Sequence, residues 1–132
     1  MNYLWDTDTC IYYLNEHARI RQKVKTIGAE HICTTSVTIA ELKFGAYHSQ
    51  KVEANLKRIE DWQQTFRVLD TLNQQITTIF GQKKAFLKKH GILIGDFDLL
   101  IASFAIHHHT IIVTNNLDHF SRIPDLRLEN WV

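Results

Sequence analysis

The sequence predicts an α/β fold with a mainly parallel central sheet flanked by helices. Short apolar stretches alternate with longer segments of helical periodicity, the pattern of repeated strand–helix units. Acidic or amide side chains directly follow the strand-like stretches, as in Trp5-Asp6, Leu69-Asp70 and Thr114-Asn115-Asn116. In open parallel sheets the carboxyl ends of the strands border the functional crevice. With a single proline (Pro124) and five glycines, no linker, repeat or low-complexity tract divides the 132 residues, so residues 1–132 read as a single domain.

Tyr3-Leu4-Trp5 is the first strand, ended by Asp6-Thr7-Asp8, with a helix expected from Thr9 to Leu14 and capped by Thr7 or Asp8. His17 to Ile27 has helical character and stops at Gly28; His31 to Thr35 reads as a second strand. Ser36 is the expected cap of a helix from Val37 to about His48, with Glu41 near the capping-box region. Glu53 to Phe66 is amphipathic and helical, Arg67 to Asp70 a third strand, and Asn73 to Lys89 a long helix ended by His90-Gly91. A helix starts at Asp96 or Phe97 and runs to about His108. Thr110-Ile111-Ile112-Val113-Thr114 is a fourth strand, Leu117–Phe120 a short helix, and Leu126–Glu129 a candidate fifth strand.

Composition narrows the class. Apolar residues make up 45% and charged residues 22%, which suits an ordinary globular chain, and no apolar run approaches the roughly 20 residues of a membrane span. Met1 to Asp6 reaches a carboxylate too soon for a signal peptide, and Cys10 and Cys33 make no disulfide framework, so the expected location is the cytoplasm. The net charge of +1 hides an uneven distribution. Basic residues cluster at Arg19 to Lys25, Lys57-Arg58 and Lys83 to Lys89, either solvated helix faces or the rim of a site for a polyanion.

The isolated carboxylates carry the chemistry. Charges set in apolar sequence are costly to bury unless a cation or hydrogen bonds offset them, and several converging carboxylates suit Mg²⁺ or Mn²⁺. Asp6 follows the first strand, where a lone carboxylate is more often a cap than a ligand. At helical spacing Glu41 shares a face with Val37, Ala40 and Phe44, the expected core stripe, which marks it as functional. Asp98 is in register with Ile101, Ala102 and Ala105 and ranks as a ligand, with Asp96 as its helix cap or a supporting group. Asn116 either offers a carbonyl oxygen to a metal-bound water or caps the short helix. The adjacent His107, His108 and His109 point about a third of a turn apart and suit a helix C-terminus better than one metal ion.

Together these residues resemble the PIN-domain ribonucleases, specifically the VapC-type toxins of bacterial toxin–antitoxin pairs. The matching elements are Leu4 to Ile11, Ser36 to Ala46, Ile94 to Ala102, Val113 to Phe120 and Arg127 to Trp131, in order along the whole chain. The resemblance implies a PIN-like three-layer fold, with a five-stranded parallel sheet between helices, and a Mg²⁺- or Mn²⁺-dependent endoribonuclease. It also implies a homodimer neutralised by a small cognate antitoxin in a heterotetramer or larger complex. The family's acidic set carries over to Asp6, Glu41 and Asp98, with Asn116 where many relatives have a fourth acid. Thr7, Asp8, Ser36, Asp96 and Thr114 are supporting candidates; Asp8 stands where the family usually has asparagine.

On this reading Asp6 and Asp98 hold the metal and Glu41 acts through water. Lys43, Arg19 and Arg21 are candidates for the RNA backbone, and unpaired loops of structured RNA such as tRNA are the expected substrate. An antitoxin segment is expected to set a basic residue against the acids and cover grooves near Phe44, Trp62 and Phe66. Two rivals remain. A phosphoacceptor receiver domain also gathers acids around Mg²⁺, but no lysine follows Leu126 to end the fifth strand. A catalytically inactive PIN domain would act as an RNA- or protein-binding module.

Overall fold

Five strands too short to stand alone become stable by sharing one sheet whose two faces are each covered by helices. The computed structural model describes residues 2–132. The strands are β1 (Tyr3–Trp5), β2 (Ile32–Thr35), β3 (Arg67–Leu69), β4 (Ile111–Val113) and β5 (Arg127–Glu129), and the helices α1 (Thr7–Leu14), α2 (Ala18–Ile27), α3 (Ser36–Tyr47), α4 (Val52–Thr65), α5 (Gln74–Lys89), α6 (Asp96–His108) and α7 (Leu117–Phe120). A single 3-10 turn, Ala29–His31, leads into β2. The sheet order is β3-β2-β1-β4-β5, and every pairing is parallel. The expected five-stranded α/β architecture is the one found. In the receiver fold the third strand lies beside the first, whereas here β3 is an edge strand beside β2, which removes that rival.

Strand alternation sends successive side chains to opposite faces. Leu4, Cys33 and Ile112 face one way, into a core with Leu87 of α5 and Leu99, Ile101 and Phe104 of α6. Trp5, Ile32 and Val113 face the other, against Ile39 and Leu42 of α3, Ile59 and Trp62 of α4, and Trp131. Trp5 is its aromatic centre, within 5.2–6.1 Å of the Tyr13, Trp62, Phe66 and Trp131 rings. Such contacts add to the area term. Helix α6 is apolar nearly all round because it is covered nearly all round; its buried Ser103 hydroxyl donates to Leu99 O at 2.7 Å. Helix α5 closes through Gly91, whose φ of +68° lets its own N–H reach Lys88 O and the Ile92 N–H reach Leu87 O.

Several helix starts lie one or two residues from the expected positions. Helix α1 begins at Thr7, and its cap is Asp6, not Thr7 or Asp8: Asp6 Oδ1 accepts from Thr9 N–H at 2.9 Å. Helix α3 begins at Ser36 and is capped by Thr35, so Glu41 lies beyond any capping box. Helix α6 begins at Asp96 with Gly95 at its cap position, so Asp96 is not the cap. The core stripe of α3 also differs from the expected one. Thr38, Ile39, Leu42 and Ala46 are buried, while Ala40 is exposed and Phe44 is 69% exposed. The apolar residues of α3 lie at mixed spacing that supports more than one stripe, and its packing against α4, α1, α6 and β2 decides which faces inward.

Candidate active site

The sheet order reverses direction at β1. The chain moves from β1 to β2 and β3 on one side, then returns to place β4 and β5 on the other. Such a reversal opens a crevice at the carboxyl ends of the central strands. Asp6 leaves the end of β1 and Asn116 follows the end of β4. Helix α3, entered directly from β2, carries Glu41, and the first turn of α6 carries Asp98. The result is a cavity of about 200 Å³ lined by Asp6, Thr7, Asp8, Glu41, Asp98, Asn116 and Phe120. No lysine or arginine is among its lining residues.

Asp6, Glu41 and Asp98 each have a hydrogen-bond partner, while Asp8 is exposed and has none among the described residues. Asp6 is only 4% exposed. Burial pushes its carboxyl above the usual carboxylate range, against the pull of hydrogen bonds from the Thr114 hydroxyl and the Thr9 amide; the Asp8 charge adds a smaller upward push. Desolvation, not repulsion among the acids, is the main cause of the rise. Thr114, buried at the end of β4, accepts from Asn116 N–H at 2.9 Å, which links Asn116 to Asp6 through one hydroxyl. Glu41 is half-buried at the border of α3's core stripe. Thr7 donates to its Oε1 at 2.6 Å, and because that uses the Thr7 proton, Thr38 must donate to Thr7 across 3.1 Å. Asp98 meets His119 Nε2 at 3.0 Å through Oδ2. Thr38 and His119 are neighbours of the acids that sequence reasoning missed. His119 carried a signal only through its place in the Val113 to Phe120 match.

The supporting candidates separate. Thr7, Asp8 and Thr114 belong to the site. Ser36 is the first residue of α3 and does not line the cavity, and Asp96 forms an exposed ion pair with Lys84 at 2.9 Å. Asp70, although it follows a strand, follows the edge strand β3 and lies outside the cavity. The basic candidates also lie outside it. The Arg21 guanidinium stacks 4.3 Å over Tyr13 and donates to its carbonyl, Arg19 reaches Val132 O at 3.5 Å, and Lys43 is exposed on α3. Trp62 and Phe66 are core residues and cannot rim a groove. The apolar groove beside the acids is instead lined by Ile11, Leu14, Gly45, Ala46 and Ile59, with Glu41 and Arg58 also on its wall.

The donor set consists of carboxylate, amide and hydroxyl oxygens, which favours a hard divalent cation over zinc or copper. Among the described residues no three Asp, Glu, His or Cys side chains are drawn together into a ready chelate. Asp6, Glu41 and Asp98 are held apart, each tied to a different hydrogen-bond donor. That spacing still fits Mg²⁺, which keeps several of its waters and takes few direct protein ligands.

The PIN domain family matches residues 3–126. Ribonuclease VapC2 of Rickettsia felis is 35% identical over 133 residues, 99% of this chain and 98% of the relative. The tRNA(fMet)-specific endonuclease VapC of Salmonella typhimurium is 36% identical over 134 residues, again 99% and 98% of the two chains. Among solved structures, DNA-bound VapBC from Salmonella typhimurium aligns with a TM-score of 0.94 at 34% identity, over 100% of this chain and 99% of that one. VapBC2 from Rickettsia felis, bound to a fragment of its promoter DNA, aligns with a TM-score of 0.92 at 33% identity over the whole of both chains.

Proposed function

The chain belongs to the PIN-domain family, among its VapC ribonucleases, and from that premise we propose that it is the toxin of a toxin–antitoxin pair, a Mg²⁺- or Mn²⁺-dependent endoribonuclease. The observation that carries the metal-dependent reading is the cavity at the sheet reversal, which gathers Asp6, Asp8, Glu41 and Asp98 with no basic residue in its lining. An RNA phosphate cannot approach such a pocket unless a cation screens it.

Asp6 and Asp98 would hold the ion directly, with Asn116 nearby as a neutral oxygen donor. A bound divalent ion would lower the pKa of a coordinated water and stabilise charge on the scissile phosphate. Glu41 uses the oxygen not engaged by Thr7, Oε2, to orient the attacking water and take its proton. Thr7, itself held by Thr38, fixes one oxygen of the Glu41 carboxylate and leaves Oε2 without a side-chain partner. Phe44 on α3 and Phe97 on α6 are exposed rings three and one residues from the acids Glu41 and Asp98, placed to stack unpaired bases.

The proposed substrate class is a structured RNA cut in a single-stranded loop, with initiator tRNA the first candidate because the Salmonella relative is named a tRNA(fMet)-specific endonuclease. The partner is a small cognate antitoxin, as in the VapBC complexes, bound to a homodimer of this chain in a heterotetramer or larger assembly. With an RNA substrate, the site of action is the cytoplasm; no described helix is long and apolar enough to cross a membrane. Residues 1–132 act as one PIN domain. The test is cleavage of initiator tRNA and of total cellular RNA by the purified protein with Mg²⁺, with Mn²⁺ and with chelator. Metal-dependent cleavage lost in Asp98→Asn is expected. Cleavage that persists in chelator would overturn the metal reading, and no cleavage of any RNA would favour an inactive binding module.

A further inference from the structure

We propose that His119, held by Arg122, is a positioning residue that fixes the Asp98 carboxylate for cation binding; this rests on the reading of Asp98 as a ligand. His119 lies on α7 with its Nε2 3.0 Å from Asp98 Oδ2 and its Nδ1 3.0 Å from Arg122 Nη2. A guanidinium has donors only, so Nδ1 must accept, and the ring proton is then on Nε2, donated to Asp98. Arg122 thereby selects the tautomer.

Arg122 is itself anchored. Its Nε donates to His119 O at 3.4 Å and its Nη2 to Leu93 O at 3.2 Å, which ties the α5–α6 loop to α7. The chain of donors therefore runs from a fixed guanidinium through one imidazole to one carboxylate oxygen. Oδ1 is the oxygen left for the cavity that Asp98 lines.

Asp98 needs this support more than its neighbours do. Asp6 is deeply buried and held by Thr9 and Thr114, and Glu41 by Thr7. The Asp98 side chain is 39% exposed, and among the described residues His119 is its only side-chain hydrogen-bond partner. Without it the carboxylate is free to sample its other rotamers. His119 is not among the residues lining the cavity, so its influence passes through Asp98. Hydrogen bonds to metal-holding carboxylates are typically worth about 10–100-fold in metal affinity or activity.

The test is Mn²⁺ binding to the full chain, by calorimetry and by electron paramagnetic resonance. Wild type is compared with His119→Ala, His119→Gln, Arg122→Leu and Asp98→Asn, with thermal midpoints measured in chelator. His119→Ala should weaken Mn²⁺ by about 10–100-fold. His119→Gln, whose amide can donate with similar reach, should recover most of that loss, and Arg122→Leu should fall between. Nitrogen-15 NMR of the wild-type imidazole should show the proton on Nε2 alone, and Arg122→Leu should show a tautomer mixture. If Asp98→Asn weakens Mn²⁺ while His119→Ala binds as wild type, the positioning role is wrong and Asp98 remains a ligand. If Asp98→Asn binds as wild type, the ligand reading itself falls. Failure of His119→Gln to recover affinity, or a wild-type ring protonated on Nδ1, also overturns the proposal, the latter even if His119→Ala does not fold.

Discussion

Replacing Asp6 by asparagine should abolish cleavage and yet stabilise the metal-free protein. The wild-type carboxylate is 4% exposed, and burial holds its pKa above the usual range. Each tenfold rise in proton affinity on folding corresponds to about 1.4 kcal/mol lost by the folded state once the pH lies above both the unfolded and the folded pKa. Asn keeps the helix cap, because its Oδ1 can replace the oxygen that accepts from Thr9 N–H at 2.9 Å, and Asn and Asp are equivalent caps. Its Nδ2 can donate to the Thr114 hydroxyl. The net gain should appear as a raised thermal midpoint at neutral pH, each 1 kcal/mol of gain being worth roughly 3–5 °C for a chain of this length.

The pH dependence has a definite sign. As pH rises past the ordinary aspartate pKa of about 3.9, unfolded Asp6 ionises first and binds fewer protons than folded Asp6. Wild-type stability attributable to this group therefore falls from there up through the raised folded value, and stays lowered above it. Below about pH 3.5 both states hold the proton and the advantage of Asp6→Asn should vanish. Asp6→Ala, which loses the cap and strands a buried N–H, should instead cost about 1–3 kcal/mol. Calorimetric scans of all three proteins in chelator, at neutral and acid pH, measure this directly. An Asp6→Asn midpoint at or below wild type at neutral pH would refute the claim that desolvation dominates at Asp6.

Asp98→Asn should reduce RNA cleavage to background with its thermal midpoint in chelator unchanged or raised, as judged by gel assay and calorimetry; wild-type cleavage would remove Asp98 from the site. Mg²⁺ or Mn²⁺ should raise the midpoint of the wild-type protein by mass action, with a gain that shrinks as the carboxylates protonate; a shift that survives in Asp6→Asn/Asp98→Asn would place the ion elsewhere. An antitoxin arginine or lysine should pair with the acids, its neighbouring apolar residues lying in the Ile11–Leu14–Ile59 groove that Glu41 borders. Alanine replacement of each basic residue in the antitoxin's C-terminal half should then yield one variant that binds but inhibits poorly, and the absence of such a variant would mean that inhibition is steric.

The strand and helix sequence was legible without coordinates because each strand is a short apolar run and each helix has its own periodicity and stop. Asp6 and Asp98 were legible as carboxylates in apolar surroundings. For Glu41 the periodicity misleads in part: the stripe of Val37, Ala40 and Phe44 that it shares is not the buried one. Glu41 belongs to the site because β2 delivers α3 to the cavity and Thr7 reaches its carboxylate.

Local sequence determined where the chain extends, coils and stops, since those choices depend on neighbours within a few residues. It could not determine that Asp6 caps α1 while facing the cavity, that Arg21 is spent on Tyr13, or that Asp96 turns to Lys84. Nor could it place His119 against Asp98, twenty-one residues away in sequence. His119 meets Asp98 and Lys84 meets Asp96 only where separate elements pack together. The partners of Asp6 and Arg21 are three and eight residues away, but which of these side chains also faces the cavity is set by the surrounding fold, which no local pattern encodes.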